Sequence, residues 1–118
     1  VRIIIDHLMK PELDDGAPYA KAAPVFELVK YPNVFLKLTS DTVRASQQGK
    51  ASPQSFFSRL IDAFGTERLA WGSNFPASSG TLKEIVDESR QALSFLPDRD
   101  QEQIFRTTAL RLYPALAD

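Results

Sequence analysis

The strongest constraint on this chain is the order of its apolar runs. Ile3-Ile4-Ile5, Val34-Phe35-Leu36-Lys37-Leu38 and Leu69-Ala70-Trp71 are short, largely apolar stretches, the pattern of strands buried in a parallel sheet. Helical patterns separate and follow them. Pro24 fits the first turn of a helix through Val25, Phe26, Leu28 and Val29 to Tyr31, which Pro32 and Asn33 stop. Ser52 is a good N-cap, Pro53 fits the first helical position and Gly65 the C-terminal cap. Between them Phe56, Phe57, Leu60, Ile61 and Phe64 recur at helical spacing and predict one broad buried face. Thr81 and Glu84 form a capping-box pattern ahead of Leu82, Ile85, Val86, Leu93 and Leu96. Asp98 with Gln101 predicts a last helix carrying Ile104, Phe105, Ala109 and Leu112. Residues 10–19 hold two prolines, a glycine and three acidic residues and read as a loop; residues 39–51 are polar and read as irregular.

The resulting order, β-α-β-α-β-α-α, implies an α/β fold with parallel strands joined by right-handed crossovers. Three parallel strands make a poor freestanding domain, because both outer strands leave backbone groups unpaired along apolar edges. Ile3, Ile5, Phe35 or Leu36, and Trp71 would need cover on both faces of the sheet. A barrel segment explains the pattern better than a complete small fold. The chain opens at Val1, not Met, and enters a core strand almost at once, so it reads as a single partial domain over residues 1–118. Ordinary processing of a small protein is the alternative.

Composition narrows the function. A net charge of -1, with no basic stripe, gives no electrostatic case for nucleic acid or acidic membranes. No cysteine is present, which excludes disulfides and thiolate metal sites. The apolar runs are far short of a membrane span and nothing resembles a signal peptide; the expectation is a cytoplasmic protein. Chemistry in α/β proteins gathers where strands end. Here Asp6 and His7 end the first run, and Gly72, Ser73 and Asn74 end the third. Adjacent strand residues face opposite sides, so Asp6 and His7 are not expected to act together.

The run Ile3-Ile4-Ile5-Asp6-His7-Leu8, with Pro11 soon after, resembles a strand-end motif of the second amidohydrolase family, the (β/α)8-barrel hydrolases, lactonases and decarboxylases. Tyr31-Pro32-Asn33-Val34-Phe35-Leu36-Lys37-Leu38 is similar to that family's next strand. Phe64-Gly65-Thr66-Glu67-Arg68-Leu69-Ala70-Trp71-Gly72-Ser73-Asn74-Phe75-Pro76 resembles its final strand. Ile104-Phe105-Arg106-Thr107-Thr108-Ala109-Leu110-Arg111-Leu112-Tyr113 resembles its closing helix. The resemblance covers nearly the whole chain and implies strands six to eight, plus the C-terminal helices, of a (β/α)8 TIM barrel.

It also implies a metal-dependent hydrolase acting, in the manner of a lactonase, on a small carboxylate-bearing cyclic ester or amide. His7 would be a metal ligand or proton shuttle and Asn74 would orient water or substrate, with Lys37 and Ser73 as substrate-binding candidates. A divalent metal, zinc or manganese, would not be assembled by this chain alone. The family opens its barrel with a His-x-His pair and adds a further histidine, whereas His7 is the one histidine here. Many members carry aspartate at the Asn74 position, and an amide is no base near neutral pH. A missing N-terminal barrel segment, or another copy of the chain, is the expected partner.

Plainer readings stand beside these. His7 could be a satisfied structural histidine, Asn74 and Ser73 turn residues, Gly72 a close-packing residue and Trp71 core. Lys37 either enters a polar barrel mouth or snorkels outward. The rival function is a non-catalytic α/β module binding a small anion or protein partner at the same strand ends. A third reading is an assembly subunit whose edge strands pair with copies of itself.

Overall fold

In a computed structural model, which describes residues 1–117, three strands form one parallel sheet. β1 (Ile3–Ile5), β2 (Val34–Thr39) and β3 (Leu69–Gly72) lie in that order, with β2 in the middle. Ile3, Ile4 and Ile5 pair with Val34, Phe35 and Leu36, and Leu36 to Thr39 pair with Leu69 to Gly72. Side chains alternate across a strand, and this register sorts them cleanly. Val34, Leu36, Leu38 and Leu69 join the buried core with the helices, and Ile5 and Trp71 pack against it. Phe35, Lys37, Thr39, Ala70 and Gly72 therefore share the opposite, inner face. The expected apolar demand on both faces is not met: of the strand residues named for it, only Ile3 is exposed, at 45%. The reason is that every second position of β2 and β3 facing inward, from Lys37 and Ala70 onward, is polar or small.

The helix over α3 (Pro53–Phe64) follows its sequence signals closely. The Ser52 hydroxyl accepts the Ser55 amide at 3.2 Å, Pro53 opens the helix and Gly65 closes it at a φ of 75°. Phe56, Phe57, Leu60 and Phe64 are buried, and Ile61 packs against them. Phe56 sits edge-on to Phe57 and to Tyr19, with ring centroids 5.2 Å apart in both pairs. Tyr19 lies within the predicted loop yet is buried, with its hydroxyl on Ser55 Oγ. Leu13 is buried too, so that loop contributes to the core.

α4 (Leu82–Ala92) begins with the capping box: Glu84 N–H donates to Thr81 Oγ1 and Thr81 N–H donates to Glu84 Oε1, both at 3.1 Å. The Thr81 amide holds the Glu84 carboxyl below the usual carboxylate range. Its stabilisation is therefore present above the unfolded-state value and lost as pH falls through the lowered one. Leu82 stays outside the core, 46% exposed.

Three elements depart from expectation. Residues 39–51 are not wholly irregular: α2 (Ser40–Ala45) runs directly from β2. Thr42 and Val43 are buried, and Arg44 Nε donates to Glu88 of α4 at 2.9 Å, so tertiary packing makes a helix that local pattern does not announce. The first helix is shorter, α1 (Ala23–Glu27) passing into a 3-10 turn at Leu28–Lys30. Pro32 drives Tyr31 out of helical geometry, to a φ of -103°. The last helix is broken into α5 (Asp98–Glu102), a π turn at Gln103–Thr107 and α6 (Thr108–Leu112). Asp98 does not cap it; Gln101 donates to the Leu96 carbonyl at 2.8 Å instead. Thr108 Oγ1 donates to the Thr66 carbonyl at 3.1 Å and pins the break beside β3.

Arg68 ties the lower ends of the strands together. Its guanidinium donates to the carbonyls of Val34 at 2.9 Å, Val29 at 3.1 Å and Tyr31 at 2.7 Å. Those include carbonyls that the end of the first helical segment leaves without partners. A fork of five donors suits this task and an ammonium does not. Among the described residues, no helix is long and apolar enough to cross a membrane.

The α3 face generates a direct test. Leu60, fully buried, should lose about 2–5 kcal/mol of stability on change to Ala, measured by denaturant unfolding; a loss below about 1 kcal/mol would place this face at the surface.

Candidate functional site

Because the three strands run parallel, their C-terminal ends open on one rim. β1 ends at Ile5, and the chain then makes a tight turn over Asp6–Met9. His7, Leu8, Met9 and Lys10 have φ of 55°, 49°, 61° and 50°, four consecutive left-handed residues without a glycine. Such a conformation costs roughly 1–2 kcal/mol for each residue carrying a Cβ. Lys10 also precedes Pro11, which favours extended geometry there. Strain of this kind persists only where the surroundings over-determine it. Here Leu8 is fully buried beneath the turn, and the Lys10 amide donates to the His7 carbonyl at 2.7 Å.

The turn carries His7 off the strand and across to the end of β2. Its Nδ1 lies 2.7 Å from Thr39 Oγ1 and 3.7 Å from Asp41 Oδ2. Asp6 goes elsewhere, its Oδ1 standing 3.5 Å from Lys37 Nζ. Lys37 thus points along the inner face, not outward. Gly72 leaves room for it: a Cβ on Gly72 would lie 2.8 Å from Lys37 Cε.

The end of β3 reaches the same ground. Asn74, two residues beyond Gly72, is left-handed at a φ of 56°, a conformation asparagine tolerates better than most residues. Its Nδ2 donates to Ser78 Oγ at 3.0 Å. Ser78 Oγ is 2.5 Å from Ser40 Oγ and 3.4 Å from Asp41 Oδ1. Ser73 makes a turn, its Oγ accepting the Phe75 amide and its carbonyl facing Ser40 Oγ, both at 3.1 Å. Trp71 faces the helices, its ring centroid 5.5 Å from that of Phe105.

His7 and Asn74 are therefore linked through Asp41 and Ser78. Thr39, Ser40, Asp41 and Ser78 are the rim residues that the reading of the sequence passed over. A cleft of about 270 Å³ between Lys10, Pro11, Thr42, Arg44 and Ala45 also borders Asp41. Among the described residues, no three His, Cys, Asp or Glu side chains converge as a metal site. A catalytic metal takes three protein ligands and leaves a position for water, so the residues present do not by themselves fit one.

Comparison with known proteins shows the family. The sequence model of the family described as Amidohydrolase matches residues 1–115. L-fucono-1,5-lactonase of Burkholderia ambifaria is 35% identical over 79 residues, 66% of this chain and 27% of that protein. The crystal structure of an amidohydrolase from Burkholderia multivorans with bound zinc matches with a TM-score of 0.72 at 24% identity, over 96% of this chain and 44% of that one. A Pseudomonas putida structure, provisionally assigned as a 2-pyrone-4,6-dicarboxylic acid hydrolase, matches at 0.73 and 20% identity, over 97% and 43%. The two structural likenesses show the fold. The chain spans less than half the length of each of these relatives.

The strained turn yields a test in which the usual sign is reversed. Lys10→Gly in the whole protein should raise stability by about 0.5–1 kcal/mol, relief of the left-handed strain exceeding glycine's entropic cost. Urea unfolding measures it, and a net loss would contradict the left-handed turn.

Proposed function

The chain belongs to the amidohydrolase family, and from that premise we propose that the whole protein hydrolyses a small carboxylate-bearing cyclic ester or amide, as a lactonase does. This chain supplies the last three β/α units of a (β/α)8 barrel, strands six to eight with the closing helices. Such barrels place their chemistry at the C-terminal rim of the strands. The observation that carries the proposal is the meeting of His7 and Asn74 on that rim through Asp41 and Ser78. The lactonase relative supports the choice of a cyclic ester.

In this reading water attacks the ring carbonyl, the carbon–oxygen bond of the ring breaks, and the leaving oxygen takes a proton. His7 receives the proton from water and returns it to that oxygen. Asn74, which has no basic lone pair to offer, orients water or the substrate carbonyl. Lys37, held on the inner face by Asp6, meets the substrate carboxylate, and Ser73 keeps a hydroxyl proton to donate. Where a divalent metal, zinc or manganese, is bound, His7 would be one of its ligands in place of carrying the proton, and the other ligands would come from outside this chain. The free edges of β1 and β3 are where the remainder of the barrel, or a second copy, would pair.

The purified whole protein should open sugar-acid lactones. His7→Gln should lower kcat by about 10²–10⁴-fold with the fold intact by circular dichroism. Lactones left unopened, while a carboxylate ligand still binds and perturbs the rim, would favour the non-catalytic binding module.

A further inference from the structure

We propose that Asp41 is the positioning carboxylate of this site, fixing His7 as the Nδ1–H tautomer with Nε2 bare toward the reaction; the proposal rests on the hydrolytic reading above for its catalytic consequence, but not for its geometry. The surroundings of the Asp41 carboxylate and of the His7 ring lead to it. The Asn74 amide nitrogen can only donate, and it gives a proton to Ser78 Oγ at 3.0 Å. The Ser40 proton goes to the Ser73 carbonyl at 3.1 Å, so the proton in the 2.5 Å contact between Ser40 and Ser78 is that of Ser78. Asp41 Oδ1 stands 3.4 Å from Ser78 Oγ, beside this chain of hydroxyls.

The other oxygen faces the histidine. Asp41 Oδ2 at 3.7 Å and Thr39 Oγ1 at 2.7 Å both approach His7 Nδ1. A carboxylate beside one ring nitrogen favours a proton on that nitrogen, and the partner of one nitrogen decides the state of the other. Thr39 then accepts from Nδ1–H, and Nε2 retains its lone pair. This supplies the site with the negative charge that Asn74, an amide, does not bring. It comes from the turn after β2, one strand over.

The test reads the tautomer directly. Nitrogen and carbon chemical shifts of the His7 ring, identified by their loss in His7→Gln, are recorded on the metal-free whole protein where the ring is neutral. The Nδ1–H form should dominate. Asp41→Asn should shift the population toward the Nε2–H form that free imidazole side chains prefer, with Asp41→Glu restoring part of it. In hydrolysis Asp41→Asn should cost about 10–100-fold in kcat. A dominant Nε2–H form in the unsubstituted protein, or an Nδ1–H population unchanged by Asp41→Asn, would overturn the assignment. Because the spectrum needs no substrate, absence of lactone hydrolysis would count against the function while the tautomer alone decides this proposal.

Discussion

Parallel pairing of β2 with both of its neighbours is the constraint from which the site follows. Once Ile5 lies beside Leu36, and Thr39 beside Gly72, the chain must leave all three strands on the same side. His7, Thr39 and Asn74 then stand within a residue or two of those exits. The same register sends Leu36, Leu38 and Leu69 into the helical core and keeps Lys37 on the inner face. A slip of one residue would exchange the two faces. Arg68 guards against such a slip from below, since its guanidinium reaches the Val34 carbonyl and three turn carbonyls at once.

The rim carries the local cost that this frame can bear. Four left-handed residues from His7 to Lys10 would be several kcal/mol unfavourable in a free chain. Leu8 anchors them in the core and the His7–Thr39 contact holds the ring at the top. Asn74 takes the same backbone conformation beyond the end of β3, on the same rim. The histidine and the amide are thus presented by strained turns on a rigid sheet. That arrangement suits groups whose positions matter more than their freedom.

Much of the fold was legible because it is written in local chemistry. Ser52, Pro53 and Gly65 bound a helix whether or not a sheet lies beneath it, and the Thr81–Glu84 box does the same. The three apolar runs specify parallel strands because nothing polar interrupts their outward positions. The family resemblance, carried by the residues around His7 and Asn74, agrees with the amidohydrolase match over residues 1–115. What escaped notice depends on distant partners. α2 exists because Val43 is buried and Arg44 finds Glu88 and Ser79. The left-handed turn contains no glycine to announce it. Asp41 looked like one polar residue among many until the fold brought it beside His7. A carboxylate three residues beyond the apolar run that ends at Leu38 was the signal available.

The central proposal is that, in the whole protein, substrate binds at this rim. A crystal structure of the whole protein with the hydroxy-acid product of a lactone tests it most directly. The account predicts product density at the C-terminal ends of the three strands, within hydrogen-bond reach of His7 and Asn74 and with its carboxylate toward Lys37. Product bound on the helical side, or at the lower ends of the strands near Arg68, would contradict it.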